Sequence, residues 1–154
     1  NTQRKLRESS YNSRFNEIKK AEKILKCNFL AEVSMKRFNK TIFNNLKIKK
    51  RAKHVISENQ RVLRAKLALK NKDINEYGSL MNASHNSYSN DFEASNKKIN
   101  EIVSISLKFG AVGSRLTGGG FGGFVVSLVS KKNSKNWEKN MYEFYNKTIF
   151  YKIT

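Results

Sequence analysis

The chain has 154 residues, the size of one domain and enough to bury a hydrophobic core. Apolar residues make up 38% of it, but no apolar run approaches the ~20 residues of a transmembrane helix, so that class is excluded. A single cysteine, Cys27, excludes an internal disulfide; with a polar, basic N-terminus unlike a signal peptide, it predicts a cytoplasmic protein.

The formal net charge of +19 leaves two explanations open. One is nucleic-acid binding through neutralised phosphates, and the other is drift of the sequence toward Lys and Asn. Lysine outnumbers arginine 23 to 8, and the basic residues are spread along the predicted helices instead of forming one stripe. This pattern favours drift, although nonspecific binding to polyanions is expected from the charge alone.

The first half of the chain predicts three helices from the spacing of its apolar residues. The first is amphipathic, with apolar residues recurring at Tyr11, Phe15, Ile18, Ala21 and Leu25. Ser34 is predicted to cap a short second helix, whose apolar residues are Met35, Phe38 and Ile42. The third is longer, with one apolar face formed by Ile48, Ala52, Val55, Ile56, Val62 and Leu63.

Two more helices are predicted from their ends as well as their periodicity. Asp73 and Glu76 have the spacing of a capping box, which predicts that a helix begins at residue 74. Ser95 is predicted to cap the next helix, and Gly110 to end it with a left-handed residue.

The last third changes character and predicts strands. The expected order is a strand (112–117), a glycine turn, a strand (123–129), a helix (134–146) and a strand (148–153). The whole chain is therefore predicted to be a single α+β domain, with an antiparallel sheet packed against helices.

Six of the eight glycines lie within "GSRLTGGGFGG", residues 113–123. Gly118, Gly120 and Gly123 have the G-x-G-x-x-G spacing of a dinucleotide fingerprint, but a predicted strand follows where that motif needs a helix. A Walker A loop is excluded because Gly123 is followed by Phe124, and a protein kinase because no H-R-D or D-F-G element follows. The run could hold an anion on its backbone N–H groups, or it could be a tight bulged hairpin.

"GSRLTGGGFGG" closely resembles the third signature of the GHMP small-molecule kinases in its galactokinase version. Other blocks resemble further segments of that family in the same order. They are "SSYNSR" (9–14), "RAKHVISEN" (51–59), "LMNASHNSYSNDFEAS" (80–95) and "TIFYK" (148–152).

The resemblance covers residues 1–152 and implies the C-terminal half of a two-lobed enzyme, with a ferredoxin-like split βαβ arrangement. The family binds ATP, Mg²⁺ and sugar mainly through an N-terminal lobe that carries the phosphate loop and the catalytic aspartate, and neither matches a residue of this chain. The complete enzyme is expected to be an ATP-dependent galactokinase, with galactose, ATP and the N-terminal lobe as partners. This chain alone is expected to be inactive and to contain no catalytic residue.

Four residues take family roles from the resemblance. Tyr11 matches the tyrosine that contacts the sugar ring. Gly118, Gly119 and Gly120 match the turn that lies beside the phosphate loop and substrate, where they are expected to support nucleotide binding.

Other polar residues have open or structural interpretations. Arg115 could meet an anion or pair with a carboxylate. His54 and His85 are expected to be hydrogen-bonded structural residues. Asp91 and Glu93 are expected to cap a helix or hydrogen-bond a loop. No metal-ligand spacing is present.

Several positions depart from the family pattern. Phe124 replaces a cysteine on a strand expected to face the core, Ser10 replaces a glutamate and Lys97 a proline. Related N-acetylgalactosamine kinases and non-catalytic sugar sensors share much of the pattern, so these two functions remain alternatives beside a basic nucleic-acid-binding module.

Overall fold

The computed structural model describes residues 2–145, with side chains described from Ser9 onward. These residues form four longer helices, two shorter ones and a two-stranded sheet. The helices are α1 (Thr2–Leu25), α2 (Met35–Lys40), α3 (Leu46–Lys70), α4 (Ile74–Asn90), α5 (Lys97–Lys108) and α6 (Ser134–Phe144), and a 3₁₀ turn covers Leu30–Glu32. The strands are β1 (Gly113–Thr117) and β2 (Phe124–Leu128).

One hydrophobic core joins the first three helices. The C-terminal half of α1 packs on α3, and the segment between them closes the space from one side. The buried side chains of this core are Ala21, Leu25, Leu30, Val33, Phe38, Ile48, Ala52 and Ile56. The guanidinium of Arg37 donates to the carbonyls of Leu25 and Lys26, which fixes α2 against the end of α1.

The sheet is antiparallel, and its register pairs Gly113 with Leu128 and Thr117 with Phe124. Helix α4 packs on β1, while α5 covers both strands. The glycine turn, residues 118–123, therefore connects the two strands at the end where Thr117 faces Phe124.

Most predicted element ends are confirmed. Ser34 accepts a hydrogen bond from the Arg37 amide, and Asp73 accepts one from the Glu76 amide. Gly110 follows α5 with φ +99°, a conformation that glycine adopts without strain. The predicted cap of α5 is wrong by one residue. Asn96 accepts the hydrogen bond from the Ile99 amide, while the Ser95 hydroxyl donates to Asn100.

Several residues predicted to face the core are exposed, and Tyr11 and Phe15 on α1 are among them. Ile42 follows the end of α2 and is 85% exposed. Val62 and Leu63 lie on α3 beyond the part that α1 covers, and both are exposed. Phe124, expected to face the core, is 69% exposed on β2.

The α+β architecture with an antiparallel sheet is confirmed. The predicted strand at 148–153 lies outside the described residues. Within residues 2–145, no helix combines the length and apolarity that crossing a bilayer requires.

Candidate functional site

The glycine turn packs against the end of α4 and the segment that follows it. The Phe121 amide donates to the Ala94 carbonyl over 2.7 Å. A Cβ added to Gly120 would lie 2.9 Å from the Ala94 side chain and from the Tyr88 hydroxyl, and Gly120 has φ +89°. Only glycine therefore fits at residue 120 without displacing its neighbours.

The preceding part of the turn is open. A Cβ added to Gly118 or Gly119 would meet nothing within 4 Å, and both residues are exposed. The absence of side chains at these two positions lets another molecule or segment approach the backbone closely. The turn thus combines a fixed side at Gly120 with an accessible side at Gly118 and Gly119.

Helix α1 approaches the same turn. The guanidinium carbon of Arg14 lies 5.7 Å from the centre of the Phe121 ring, within the range of a cation–π contact. Tyr11 lies on the same helix, three residues before Arg14. Tyr11 itself is 59% exposed. Helix α1 therefore meets the glycine turn through Arg14, about one helical turn after Tyr11.

Arg115 pairs with a carboxylate. Its guanidinium lies 3.2 Å from Glu58 Oε1, and Glu58 also accepts hydrogen bonds from Ser84 and Arg61. Burial alone would raise the pKa of Glu58, but the hydrogen bonds from Ser84 and Arg61 lower it overall. Arg115 was expected to meet an anion or to pair with a carboxylate, and the structure shows the second arrangement.

Both histidines are buried and hydrogen-bonded. His85 Nδ1 accepts from the Leu116 amide over 3.3 Å, which links α4 to β1. His54 Nδ1 lies 3.0 Å from the Ser87 hydroxyl, and its ring stacks on Phe92 at 4.6 Å. Burial lowers the pKa of His85, and it lowers that of His54 to about 4. These contacts suit a structural role for both rings.

The low pKa of His54 predicts acid sensitivity. Because the folded value of about 4 lies below the ordinary 6.5, the unfolded chain binds the proton more readily between these pH values. Stability that is present above pH 6.5 is therefore lost as the pH falls toward 4. We expect the free energy of unfolding to fall between pH 7 and 5 by about 2 kcal/mol more in the wild type than in His54→Asn.

Urea titrations of both proteins at several pH values measure this difference. The carboxylates are common to the two proteins, so their contributions cancel in the comparison. Parallel pH profiles for the wild type and His54→Asn would contradict the assignment of a neutral, buried imidazole.

Sequence reasoning predicted hydrogen bonds of Asp91 and Glu93 but missed the two arginines that hold the segment before α5. Asp91 ends α4, and Glu93 has φ +54° in the segment that follows. Glu93 accepts a hydrogen bond from Arg51, whose side chain is fully buried, and Arg14 donates to two backbone carbonyls nearby. A signal was present, since Arg51 directly precedes Ala52 on the apolar face of a predicted helix. Among the described residues no group of His, Cys, Asp and Glu is arranged to hold a metal ion.

Comparison with known proteins identifies what this arrangement resembles. The family model described as GHMP kinases C terminal matches residues 65–147, more than half of the chain. The galactokinase of Lactobacillus helveticus is 37% identical over 153 residues, covering 95% of this chain and 39% of that protein. The galactokinase of Haemophilus influenzae is 40% identical over 151 residues, covering 94% of this chain and 39% of that protein.

A solved structure agrees with the sequence comparisons. The crystal structure of Lactococcus lactis galactokinase complexed with galactose superimposes with a TM-score of 0.84 at 31% identity. The match covers 90% of this chain and 37% of that one. The chain thus spans about two fifths of the length of the relatives it matches.

Proposed function

The chain belongs to the GHMP kinase C-terminal family, and on that premise we propose that it is the C-terminal lobe of an ATP-dependent galactokinase. The complete enzyme would transfer the γ-phosphate of ATP to the C1 hydroxyl of galactose. The observation that carries the proposal is the turn at residues 118–123, which is open at Gly118 and Gly119 and fixed at Gly120. The similarity to galactokinases over nearly the whole chain supports it.

The residues of this lobe would bind and position substrates. Gly118 and Gly119 would let the nucleotide phosphates, or the loop that holds them, approach the backbone, while Gly120 keeps the turn in place. Tyr11 would contact the sugar ring. An N-terminal lobe would supply most contacts to ATP and Mg²⁺, so residues 1–154 alone would be inactive. Catalysis of phosphoryl transfer depends on such positioning and on electrostatic stabilisation.

Exposed aromatic side chains near the turn support an N-terminal lobe as partner. Phe124 directly follows the turn, and Phe15 lies one helical turn after Tyr11. All three rings are more than half exposed. Burying such rings against a second lobe removes apolar surface from water, which stabilises association.

The test is ATP-dependent sugar phosphorylation by the complete two-lobed protein, wild type and Gly119→Ala. We expect the wild type to phosphorylate galactose and Gly119→Ala to lower kcat/KM for ATP at least about tenfold, because a methyl group would obstruct close approach to the backbone. Folding should be unaffected, since the added Cβ meets nothing within 4 Å and Gly119 lies outside the left-handed region.

Two controls sharpen this test. Ser104→Ala, an exposed change on α5, should leave both kcat/KM and thermal stability unchanged. Phosphorylation of N-acetylgalactosamine in preference to galactose would reassign the substrate. Binding of galactose and ATP without turnover would instead indicate a sugar sensor, and tight, salt-sensitive nucleic-acid binding without sugar binding would contradict the proposal.

A further inference from the structure

Two arginines converge on residues 91–95, which lie between α4 and α5 and which we term the anchor loop. Arg51 on α3 donates to the Asp91 carbonyl over 2.5 Å and to Glu93 Oε2 over 2.7 Å. Its Nε donates to Glu17 Oε2 on α1 over 2.7 Å. The side chain of Arg51 is 0% exposed, so a single buried guanidinium joins α1, α3 and the anchor loop.

Arg14 on α1 holds the same loop from the other side. Its Nε donates to the Phe92 carbonyl over 2.7 Å, and a terminal nitrogen donates to the Glu93 carbonyl over 3.0 Å. The other terminal nitrogen donates to Glu17 Oε2, which Arg51 also binds. Glu17 thus orients both arginines, and three consecutive carbonyls, those of residues 91–93, receive their hydrogen bonds.

The anchor loop in turn holds the glycine turn. The Ala94 carbonyl accepts from the Phe121 amide, and Gly120 packs against Ala94 with no room for a side chain. Arg14 also lies over the Phe121 ring, so it touches the anchor loop and the turn at once. The contacts form a continuous path from α1 and α3 through residues 91–95 to residues 118–123.

Backbone conformation on both sides of this contact requires support. Glu93 has φ +54° and Phe121 has φ +58°, and neither is a glycine. Residues with side chains adopt the left-handed region at an energetic cost and remain there only when their surroundings hold them. The two arginines and the Ala94–Phe121 hydrogen bond supply the contacts that do so.

We propose that Arg14 and Arg51 are positioning residues that hold the glycine turn in its binding conformation through the anchor loop. The effect on catalysis rests on the proposed function, because it requires that Gly118 and Gly119 approach the nucleotide. The effect on the conformation of the turn does not rest on the proposed function, because it follows from contacts within this chain.

Amide hydrogen exchange of the chain tests the first step. Arg14→Gln should speed exchange of the amides in residues 118–123, that of Phe121 above all, by about tenfold or more relative to the wild type. Arg37→Gln is the matched control, since Arg37 on α2 also donates to two backbone carbonyls, but at the C-terminal end of α1, away from Arg14. Equal exchange of residues 118–123 in the two variants would overturn the proposal.

Kinetics of the complete two-lobed protein test the second step. Arg14→Gln should raise KM for ATP about tenfold with a smaller change in kcat, while Arg37→Gln should leave KM unchanged. Arg14→Lys keeps the positive charge over Phe121 but cannot donate to both carbonyls in the same way. We therefore expect its amide exchange in residues 118–123 to be intermediate between the wild type and Arg14→Gln. If Arg14→Gln fails to fold, Arg14→Lys takes its place.

The two readouts separate the possible failures. A wild type without kinase activity would contradict the proposed function, and the exchange measurement would still decide whether the arginines hold the turn. Faster exchange of the turn with unchanged KM in an active kinase would overturn the positioning role.

Discussion

Gly78→Ala should lower the free energy of unfolding by about 3 kcal/mol, because the added methyl group overfills a backbone contact. A Cβ at Gly78 would lie 2.6 Å from both the carbonyl oxygen and Cγ1 of Val112. The contact is reciprocal, since a Cβ at Gly113 would lie 2.7 Å from the Gly78 Cα. Helix α4 and the start of β1 therefore touch main chain to main chain.

This change in the free energy of unfolding is opposite in sign to that of an ordinary Gly→Ala substitution in a helix. In an exposed helix interior, replacing glycine by alanine stabilises by about 1 kcal/mol, because alanine is the better helix former. Here backbone atoms form the obstacle, and they can move only if α4 separates from β1. Asn82 would then lose its hydrogen bonds to the Val112 carbonyl and the Ser114 amide.

Urea unfolding of Gly78→Ala measures the effect, with Ser79→Ala as the matched control. Ser79 is the next residue of α4 and is exposed, so its substitution should change the free energy of unfolding by less than about 0.5 kcal/mol. If Gly78→Ala were as stable as the wild type, the close packing of α4 on β1 would be wrong.

Local signals predicted most elements of the fold from the sequence. The side chains of Ser34 and Asp73 cap their helices through amides three residues ahead, so a short stretch of sequence suffices to identify them. The residues wrongly predicted to be buried are exposed because of how the helices pack on one another. Val62 and Leu63 have helical spacing, but the core formed with α1 ends before them on α3. Periodicity predicts which face is apolar and cannot predict how far a neighbouring helix extends.

The candidate site residues come from resemblance alone. The motifs predict that Tyr11 and the glycines form the site, and the structure shows α1 meeting the turn through Arg14. Arg14 and Arg51 lie within the same motifs, yet their partners were not predictable. Arg51 binds Glu17, 34 residues before it, and Glu93, 42 residues after it. Contacts over such separations depend on helix packing, which no local pattern encodes.

Arg51→Met should lower the free energy of unfolding by about 4 kcal/mol, because it removes the buried guanidinium that pairs with the carboxylates of Glu17 and Glu93. Hydrogen bonds from Arg51 lower the pKa of Glu93, and burial would lower that of Arg51 itself if Glu93 and Glu17 did not raise it overall. The methionine is of similar length, but Glu17 and Glu93 would lose a partner and the Asp91 carbonyl its donor. Urea unfolding at pH 7 measures this loss.

The pH dependence of Arg51→Met provides a second measurement. A folded pKa of Glu93 below its ordinary value stabilises the wild type above that ordinary value, and this stability is lost as the pH falls. Without Arg51 the pKa of Glu93 should return toward its ordinary value. The difference in stability between the wild type and Arg51→Met should therefore narrow as the pH falls below about 4.5.

Arg64→Met is the matched control, since Arg64 forms an ion pair with Glu76 at the surface and its side chain is 63% exposed. Solvent screens that pair, so its loss should cost less than about 1 kcal/mol. Both arginines lie on α3, so the contrast compares a buried guanidinium between two carboxylates with an exposed guanidinium beside one. Equal losses in Arg51→Met and Arg64→Met would mean that the buried guanidinium contributes no more than a surface charge and does not hold the anchor loop.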